Sequence, residues 1–218
     1  CPFLMGSIAP VTDETKRRMK QFGLEKEVYK SIQAEAVKLL ERYMDVKTSA
    51  IVPIELGGGN TAGAMAAAAR LGIQFVDGDY TGRAIPEIPQ TTPYLAGLSM
   101  WPISSADRYG NLAIIDKSVG YEMVERIGKY IAAASFGLAG QAGFLIKGSE
   151  MKKVLIPGTM TKCFEIGKTI REANEKGKDP VREVIEYLQG WLLFEGTVER
   201  KEPEPREDYY CGINTIKG

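Results

Sequence analysis

Ala50-Ile51-Val52-Pro53-Ile54-Glu55 is a short β-rich run that stops at the three glycines of Leu56-Gly57-Gly58-Gly59-Asn60. Asn60 or Thr61 can cap the alanine-rich helix that follows, which continues through Arg70. Gly72 can end that helix, and residues 73–76 form the next apolar strand. Strand, helix and strand make one βαβ unit, which predicts a buried parallel strand pair and an α/β fold.

Further elements are expected on both sides of this unit. Helical spacing of apolar residues predicts helices at residues 25–44 and 119–136, and start and stop signals predict helices at residues 12–20, 161–176 and 179–189. Extended segments are expected at residues 95–102, 112–115 and 138–146, and the last is rich in glycine, which indicates close approach of another backbone. Residues 191–199 regain β-character. We predict an α/β domain over residues 1–190, with a partly parallel sheet and flanking helices, and the start of a β-rich domain over residues 191–218.

Composition limits the partners and the location. Hydrophobic residues make up 44% of the chain, which is enough for a packed core. The 28 Lys and Arg residues balance the 28 Asp and Glu residues, which predicts no nucleic-acid partner and favours a small-molecule substrate. No apolar run approaches the roughly 20 residues that cross a bilayer, so no membrane segment is expected. Three widely separated cysteines indicate reduced thiols and a cytoplasmic location. Because the chain opens at Cys1 without Met and closes at Gly218 after a strand-like run, we expect a fragment or joined ordered segments of a larger protein.

Histidine is absent, and this excludes several kinds of active site. Ser-His and Cys-His nucleophile pairs, His-ligated zinc and imidazole proton shuttles are ruled out. Any acid or base must be Asp, Glu, Lys, Tyr, Cys or the backbone. Thr91 and Thr92 offer hydroxyls, although threonine is more often a cap or turn residue. Cys163 follows Lys162 near a helix start, where a thiolate is favoured, but without a histidine partner it is interpreted as a packing residue.

The glycine loop between strand and helix is the first candidate site. The amides of Gly57, Gly58, Gly59 and Asn60 are expected at the positive end of the helix, outside the carboxyl edge of the sheet. An anion or a polarised carbonyl fits there. The loop lacks the strict dinucleotide pattern and a following Gly-Lys-Ser/Thr, so a phosphate-cradling loop is not expected. The alternative is a tight turn without a ligand.

Carboxylates gather after the second strand, in a long loop of a kind that is usually functional inside a compact domain. Glu55 ends one parallel strand and Asp77 follows the next, so both are expected at the same edge of the sheet. Asp79 and Glu87 add two more carboxylates, with Arg83 between them. Three outcomes are open: pairing with Arg83, binding of a divalent metal by the three loop acids, or a raised pKa that suits a general acid or base. A plain acidic surface loop is the fourth.

Several motifs together carry a resemblance to a known family. They are Glu55 to Asn60, Asp77-Gly78-Asp79-Tyr80-Thr81-Gly82-Arg83-Ala84-Ile85-Pro86-Glu87, Asp107-Arg108-Tyr109-Gly110-Asn111, and Pro157-Gly158-Thr159 with residues 166–173. From residue 51 to residue 199 the chain resembles the hydantoinase-associated family later named for S-methyl thiohydantoin desulfurase. The resemblance implies an α/β domain followed by a β-rich one, and chemistry on five-membered cyclic amide or thioamide rings.

On this resemblance we expect a hydrolase-type enzyme that removes a sulfur substituent from such a ring. The acids Asp77, Asp79 and Glu87 would activate water, directly or through a divalent metal, while Arg83 would hold developing charge. The expected substrate-binding residues are Glu55, Gly57, Gly58, Gly59, Asn60, Thr91 and Thr92. Two alternatives stay open: a non-catalytic accessory subunit of a hydantoinase or oxoprolinase, and a small-molecule binding module that uses only the glycine loop. A homo-oligomer is expected.

Overall fold

The chain divides into two units, Cys1–Pro157 and Gly158–Gly218. In this computed structural model residues 1–6, 11–206 and 209–218 are described, with the backbone alone for residues 205, 206 and 209–211. The domain boundary expected near residue 190 stays a prediction.

The first unit contains both short strands and helices. Its strands are β1 Pro2–Gly6, β2 Ala50–Ile51, β3 Gln74–Phe75, β4 Gly78–Asp79, β5 Ile103–Ala106, β6 Leu112–Ile115, β7 Leu138–Ala142 and β8 Ile156–Pro157. Its helices are α1 Asp13–Gln21, α2 Ile32–Met44, α3 Asn60–Leu71, α4 Thr92–Leu95, α5 Tyr121–Ala134 and α6 Gly148–Val154, with a 3-10 turn at Ile88–Gln90.

An antiparallel sheet in the order β1-β7-β5-β6 forms the centre of this unit. Its side chains alternate between two apolar clusters, as the pleat of a strand requires. One cluster contains Phe3, Met5 and Ala139 together with Val124 of α5. The other contains Ala106 and residues of α2 and α3. The sheet is therefore covered by α5 on one face and by α2 and α3 on the other.

Gly140 of β7 shows why the α2 face of the sheet needs a glycine. A Cβ at this position would overlap the backbone of Ile32 at the start of α2. The close backbone approach expected for the glycine-rich strand is therefore confirmed. Ser104 on the neighbouring strand β5 donates to the carbonyl oxygen of Ala36, 2.6 Å away, so α2 is also joined to the sheet by a buried hydrogen bond.

The predicted βαβ unit is confirmed as β2, α3 and β3, with β2 and β3 paired in parallel. It is smaller than expected, because β2 ends at Ile51 and the buried residues 52–55 are not in a strand. The expectation that this pair is buried holds for Ile51 but is wrong for β3, since Gln74 is exposed. Gly72 ends α3 in the left-handed conformation, as predicted (φ 67°).

Several other predicted bounds are wrong. The helix expected from residue 25 begins only at residue 32, because Ser31 caps it by accepting from the Ala34 amide. Residues 95–102 do not form a strand, and the extended segment lies just after them in β5. Strand β1 was not predicted. Helix α1 and strand β6 match their predictions closely.

The second unit contains α7 Thr159–Glu175, α8 Pro180–Tyr187, β9 Thr197–Arg206 and β10 Tyr209–Lys217. The two helices agree with the prediction, and Asp179 caps α8 by accepting from the Val181 amide at 2.9 Å. Strands β9 and β10 form an antiparallel hairpin, while residues 191–196, expected to have β-character, are not in a strand. Across both units, no helix in the described part of the chain combines the length and apolarity of a membrane span.

Candidate functional site

A pocket of about 300 Å³, counting its open mouth, lies beside the edge strand β1. Three residues of the predicted site line it, namely Glu55, Asn60 and Glu87, and the helix α5 adds Glu125. The remaining wall consists of apolar residues: Phe3, Leu4, Met5, Ile54, Ile85, Pro86 and Ile88. The pocket wall is therefore mostly apolar and includes three acidic residues.

Both carboxylate oxygens of Glu55 are hydrogen-bonded, and one of them binds the loop that follows β4. One carboxylate oxygen accepts from the Ile85 amide and the other from the side-chain amide of Asn60. Asn60 in turn accepts, through Oδ1, from the Leu4 amide of β1. This chain of hydrogen bonds joins the edge strand, the start of α3 and the loop into one wall of the pocket. Within this wall Glu55 is only 9% exposed.

Asp79 holds the other end of the same loop. Its Oδ2 accepts from the amide and hydroxyl of Thr81, at 3.0 and 2.9 Å, and from the Gly82 amide at 2.9 Å. The side chain is fully buried, and its Oδ1 has no hydrogen-bond partner among the described residues. Asp79 does not line the pocket, so the structure places it behind the loop as a turn-forming residue.

The other predicted loop residues lie at the surface. Asp77 and Arg83 are exposed, and Arg83 donates from Nε to the adjacent Ala84 carbonyl oxygen at 2.8 Å. Glu87 is exposed at the pocket, just before the 3-10 turn. In the described ranges no three Asp, Glu or Cys residues come close enough to hold a metal ion. Asp77, Asp79 and Glu87 therefore do not form a shared metal site in the described residues, and no step below uses a metal.

Thr91 and Thr92 bind backbone carbonyls. The fully buried Thr91 donates to the Ile88 carbonyl oxygen at 2.9 Å. The Thr92 hydroxyl hydrogen-bonds with the carbonyl oxygens of Tyr80 and Val154. Neither residue lines the pocket, so both stabilise the turn next to it and are not placed to contact a ligand there.

The glycine loop leads into α3 beside the pocket. Helix α3 has Gly59 as its N-cap and no side-chain cap, so the prediction that Asn60 or Thr61 caps it is wrong. Thr61 instead accepts from the Gly57 amide at 3.0 Å. Gly58 and Gly59 are exposed, and Leu4, which lines the pocket, lies against Gly59. The uncapped start of the helix is thus the positive end of a dipole next to the pocket.

Glu125 is the site residue that the sequence interpretation missed. It is 5% exposed, and its Oε2 accepts from the Ile88 amide at 3.0 Å. Burial raises the pKa of this carboxyl and the charge of Glu87 adds to the effect, although the Ile88 amide and Lys129 act against it. A buried carboxyl with a raised pKa in a pocket is a candidate general acid.

Asp107 and Cys163, which the sequence also singled out, lie outside the pocket. Asp107 is 3% exposed and forms the turn between β5 and β6 by accepting from the amides of Tyr109 and Asn111, both at 2.9 Å. It also accepts from Ser135 at the end of α5. Cys163, interpreted from sequence as a packing residue, is exposed on α7, so that interpretation is wrong.

Fold and site together define the class of the protein: an α/β protein with a carboxyl-lined pocket at the edge of an antiparallel sheet. The chain belongs to the S-Me-THD-like family, since the model of that family's N-terminal domain matches residues 1–117 and the model of its C-terminal domain matches residues 119–218. The suspected family is confirmed. Glu125 falls in the part that matches the C-terminal model, and the other pocket residues fall in the part that matches the N-terminal model.

One solved structure supports the fold. An X-ray crystal structure of a Chromobacterium violaceum protein matches with a TM-score of 0.70 at 19% sequence identity. The match covers 94% of this chain and 54% of that protein, so the chain spans about half the length of this relative. No curated protein matches the chain.

Proposed function

We propose that this pocket binds a five-membered cyclic thioamide-type ring and that its acids hydrolyse a sulfur substituent from a ring carbon. The proposal is carried by one observation: a buried carboxyl of raised pKa, Glu125, lines the same pocket as the exposed carboxyl of Glu87. Two carboxyls in such different environments suit two different roles, proton donor and proton acceptor. Membership of the S-Me-THD-like family supports the thiohydantoin-type ring.

The reaction is written for a ring in which one carbon carries an S-methyl group and a double bond to nitrogen. Glu87 takes a proton from water while the water oxygen bonds to that carbon, and Glu125 gives its proton to the ring nitrogen. The carbon–sulfur bond then breaks as Glu87 returns its proton to sulfur. The remaining hydroxyl proton passes to Glu125. One water is consumed, methanethiol leaves, and the ring gains a carbonyl and an N–H.

The apolar residues of the pocket wall and the start of α3 complete this function. Apolar residues such as Met5, Ile54 and Pro86 offer a surface for the flat faces of a small ring and exclude water from it. The positive end of the α3 dipole, which has no side-chain cap, would stabilise negative charge that develops on a bound ring. Glu55 joins these two parts, because it accepts hydrogen bonds from the Ile85 amide in the apolar wall and from the Asn60 side chain at the start of α3.

The experiment measures methanethiol released from an S-methyl thiohydantoin by the wild type and by Glu125→Gln and Glu87→Gln. Loss of a general acid or base costs about 100-fold or more, so each variant is expected to fall by at least that factor. Glu122→Gln is the matched control, because Glu122 is exposed on the same helix and does not line the pocket. Wild-type turnover in Glu125→Gln, or an equal loss in Glu122→Gln, would contradict the proposal.

A second function, as the non-catalytic partner of a hydantoinase-type subunit, is favoured by an apolar stretch in the second unit. Trp191, Leu193 and Phe194 are 84%, 90% and 59% exposed. Exposed apolar groups of this size are typical of surfaces that bind another protein. Under this alternative the wild type forms a complex with a purified hydantoinase subunit in size-exclusion chromatography and Trp191→Ala/Leu193→Ala does not. If the wild type and the double variant both co-elute with the hydantoinase subunit, or if neither does, this alternative is excluded.

A further inference from the structure

Lys129 lies four residues after Glu125 on α5, so the two side chains share one face of the helix. The Nζ atom of Lys129 is 3.3 Å from Oε1 of Glu125. The Ile88 amide binds the other carboxyl oxygen, Oε2, at 3.0 Å. The carboxyl group is thus held on both sides, by a backbone amide from the loop and by a cation from its own helix.

We propose that Lys129 is a positioning residue of this site, which orients the Glu125 carboxyl and sets the pH range in which Glu125 donates a proton. This rests on the proposed function, in which Glu125 is the proton donor. Lys129 does not itself line the pocket, and its side chain is 24% exposed against 7% for that of Glu125. Its effect on a ligand is therefore exerted through Glu125.

The charged groups near Glu125 determine how its pKa changes when Lys129 is removed. The charge of Glu87, in the loop, raises the pKa of Glu125, and Glu55 lines the same pocket beside α3. Strand β1 carries no charged residue, and the 3-10 turn contributes only the Ile88 amide. Without Lys129, Glu125 would share the pocket with two other acids and lack its ion-pair partner. Its protonated form would then persist to higher pH.

The test compares Lys129→Met with Lys129→Arg by ¹³C NMR titration of the glutamate carboxyl groups, in the full chain without substrate. The Glu125 signal is assigned from its absence in Glu125→Gln. Loss of a nearby opposite charge is expected to raise the Glu125 midpoint by about one pH unit in Lys129→Met. Lys129→Arg keeps the charge and should restore the wild-type midpoint. Lys129→Gln is a second uncharged variant, in case the methionine protein does not fold.

Lys38→Met is the matched control, because Lys38 forms a similar ion pair with Glu35 on α2 at 2.9 Å. It should leave the Glu125 midpoint unchanged. In turnover assays, the alkaline limb of the pH profile should move upward in Lys129→Met by the same amount as the NMR midpoint, because the donor stays protonated to higher pH.

The outcomes separate this inference from the proposed function. An unchanged Glu125 midpoint in both uncharged variants, or an equal shift in Lys129→Arg, would overturn the role of Lys129. Lower turnover with an unmoved pH profile would also overturn it, since that pattern indicates a merely structural residue. If the NMR midpoint moves as expected but the wild type releases no methanethiol, the proposed function fails and the control of Glu125 by Lys129 stands.

Discussion

Replacing Glu55 by glutamine tests whether this residue builds the pocket wall. Glu55 accepts from two donors, the Ile85 amide and the Asn60 side chain. Glutamine has one acceptor oxygen, so one of these bonds is lost and an NH₂ group then faces a donor. A hydrogen bond to a charged group contributes about 1.5–3 kcal/mol, and we expect Glu55→Gln to lower the free energy of unfolding of the first unit by about 2 kcal/mol.

The assay is urea unfolding followed by tryptophan fluorescence. The two tryptophans fall in different units, and Trp101 lies in the first, 5.1 Å from the ring of Tyr121. A Trp191→Phe background therefore makes the signal specific to the unit that contains the pocket. At a typical slope of about 2 kcal/mol per molar urea, the expected loss lowers the midpoint by about 1 M.

The control is Glu35→Gln, which removes a carboxylate from an ion pair on the surface of α2. Such pairs contribute little, and a loss below about 0.5 kcal/mol is expected. If Glu55→Gln were as stable as this control, the Glu55 hydrogen bonds would not hold the loop and the account of the pocket wall would be refuted.

Four further outcomes are expected. The pKa of Glu125 is raised in the folded state, so its contribution to stability is complete below the unfolded pKa and is lost as the pH rises through the folded pKa. Between about pH 4 and pH 8 the free energy of unfolding, measured with urea, should therefore fall less in Glu125→Gln than in the wild type. Gly140→Ala should destabilise the first unit by about 2 kcal/mol, since its Cβ meets the backbone of α2, whereas Gly148→Ala, with open space around it, should have little effect in the same assay. Asp79→Asn should cost about 2 kcal/mol and speed amide hydrogen exchange in residues 81–85, and normal exchange would contradict its role in the turn. Thr91→Val should cost about 1 kcal/mol and leave methanethiol release unchanged, because its hydroxyl serves a carbonyl; lost release without lost stability would show that Thr91 contacts substrate.

Local sequence patterns predicted that a parallel strand pair and its connecting helix form here, although the length of β2 and the cap of α3 differ from the prediction. Three glycines, an alanine-rich stretch and Gly72 are local signals, and they fix where α3 begins and ends. The main sheet could not be predicted in the same way. Strand β7 lies between β1 and β5, so its partners are distant in sequence and the pairing depends on tertiary contacts.

Part of the site was also visible in the sequence. Glu55, Asn60 and Glu87 line one pocket, whereas Asp77 and Asp79, which were expected to share it, do not. The sequence did not reveal that Glu55 and Asp79 bind backbone amides, because an acid that forms a turn and an acid that awaits a ligand look alike in a sequence. Only the folded loop distinguishes them.

Glu125 left a signal that was overlooked. It lies three residues before Gly128 and seven before Ala132, both of which are buried on α5, so it occupies the apolar face of an amphipathic helix. A charged residue on such a face needs a partner or a function. Its partner in space, the Ile88 amide, could not be inferred, since 37 residues separate the two.

The most direct test of the central claim is to map where a ring ligand binds. Titration of the ¹⁵N-labelled chain with an S-methyl thiohydantoin, followed by amide chemical shifts, reports on both units at once. We predict that the largest shifts occur at the amides of Leu4, Ile85 and Ile88 and are absent from residues 158–218. Shifts confined to the second unit, or no shifts at saturating ligand, would contradict the assignment of this pocket as the functional site.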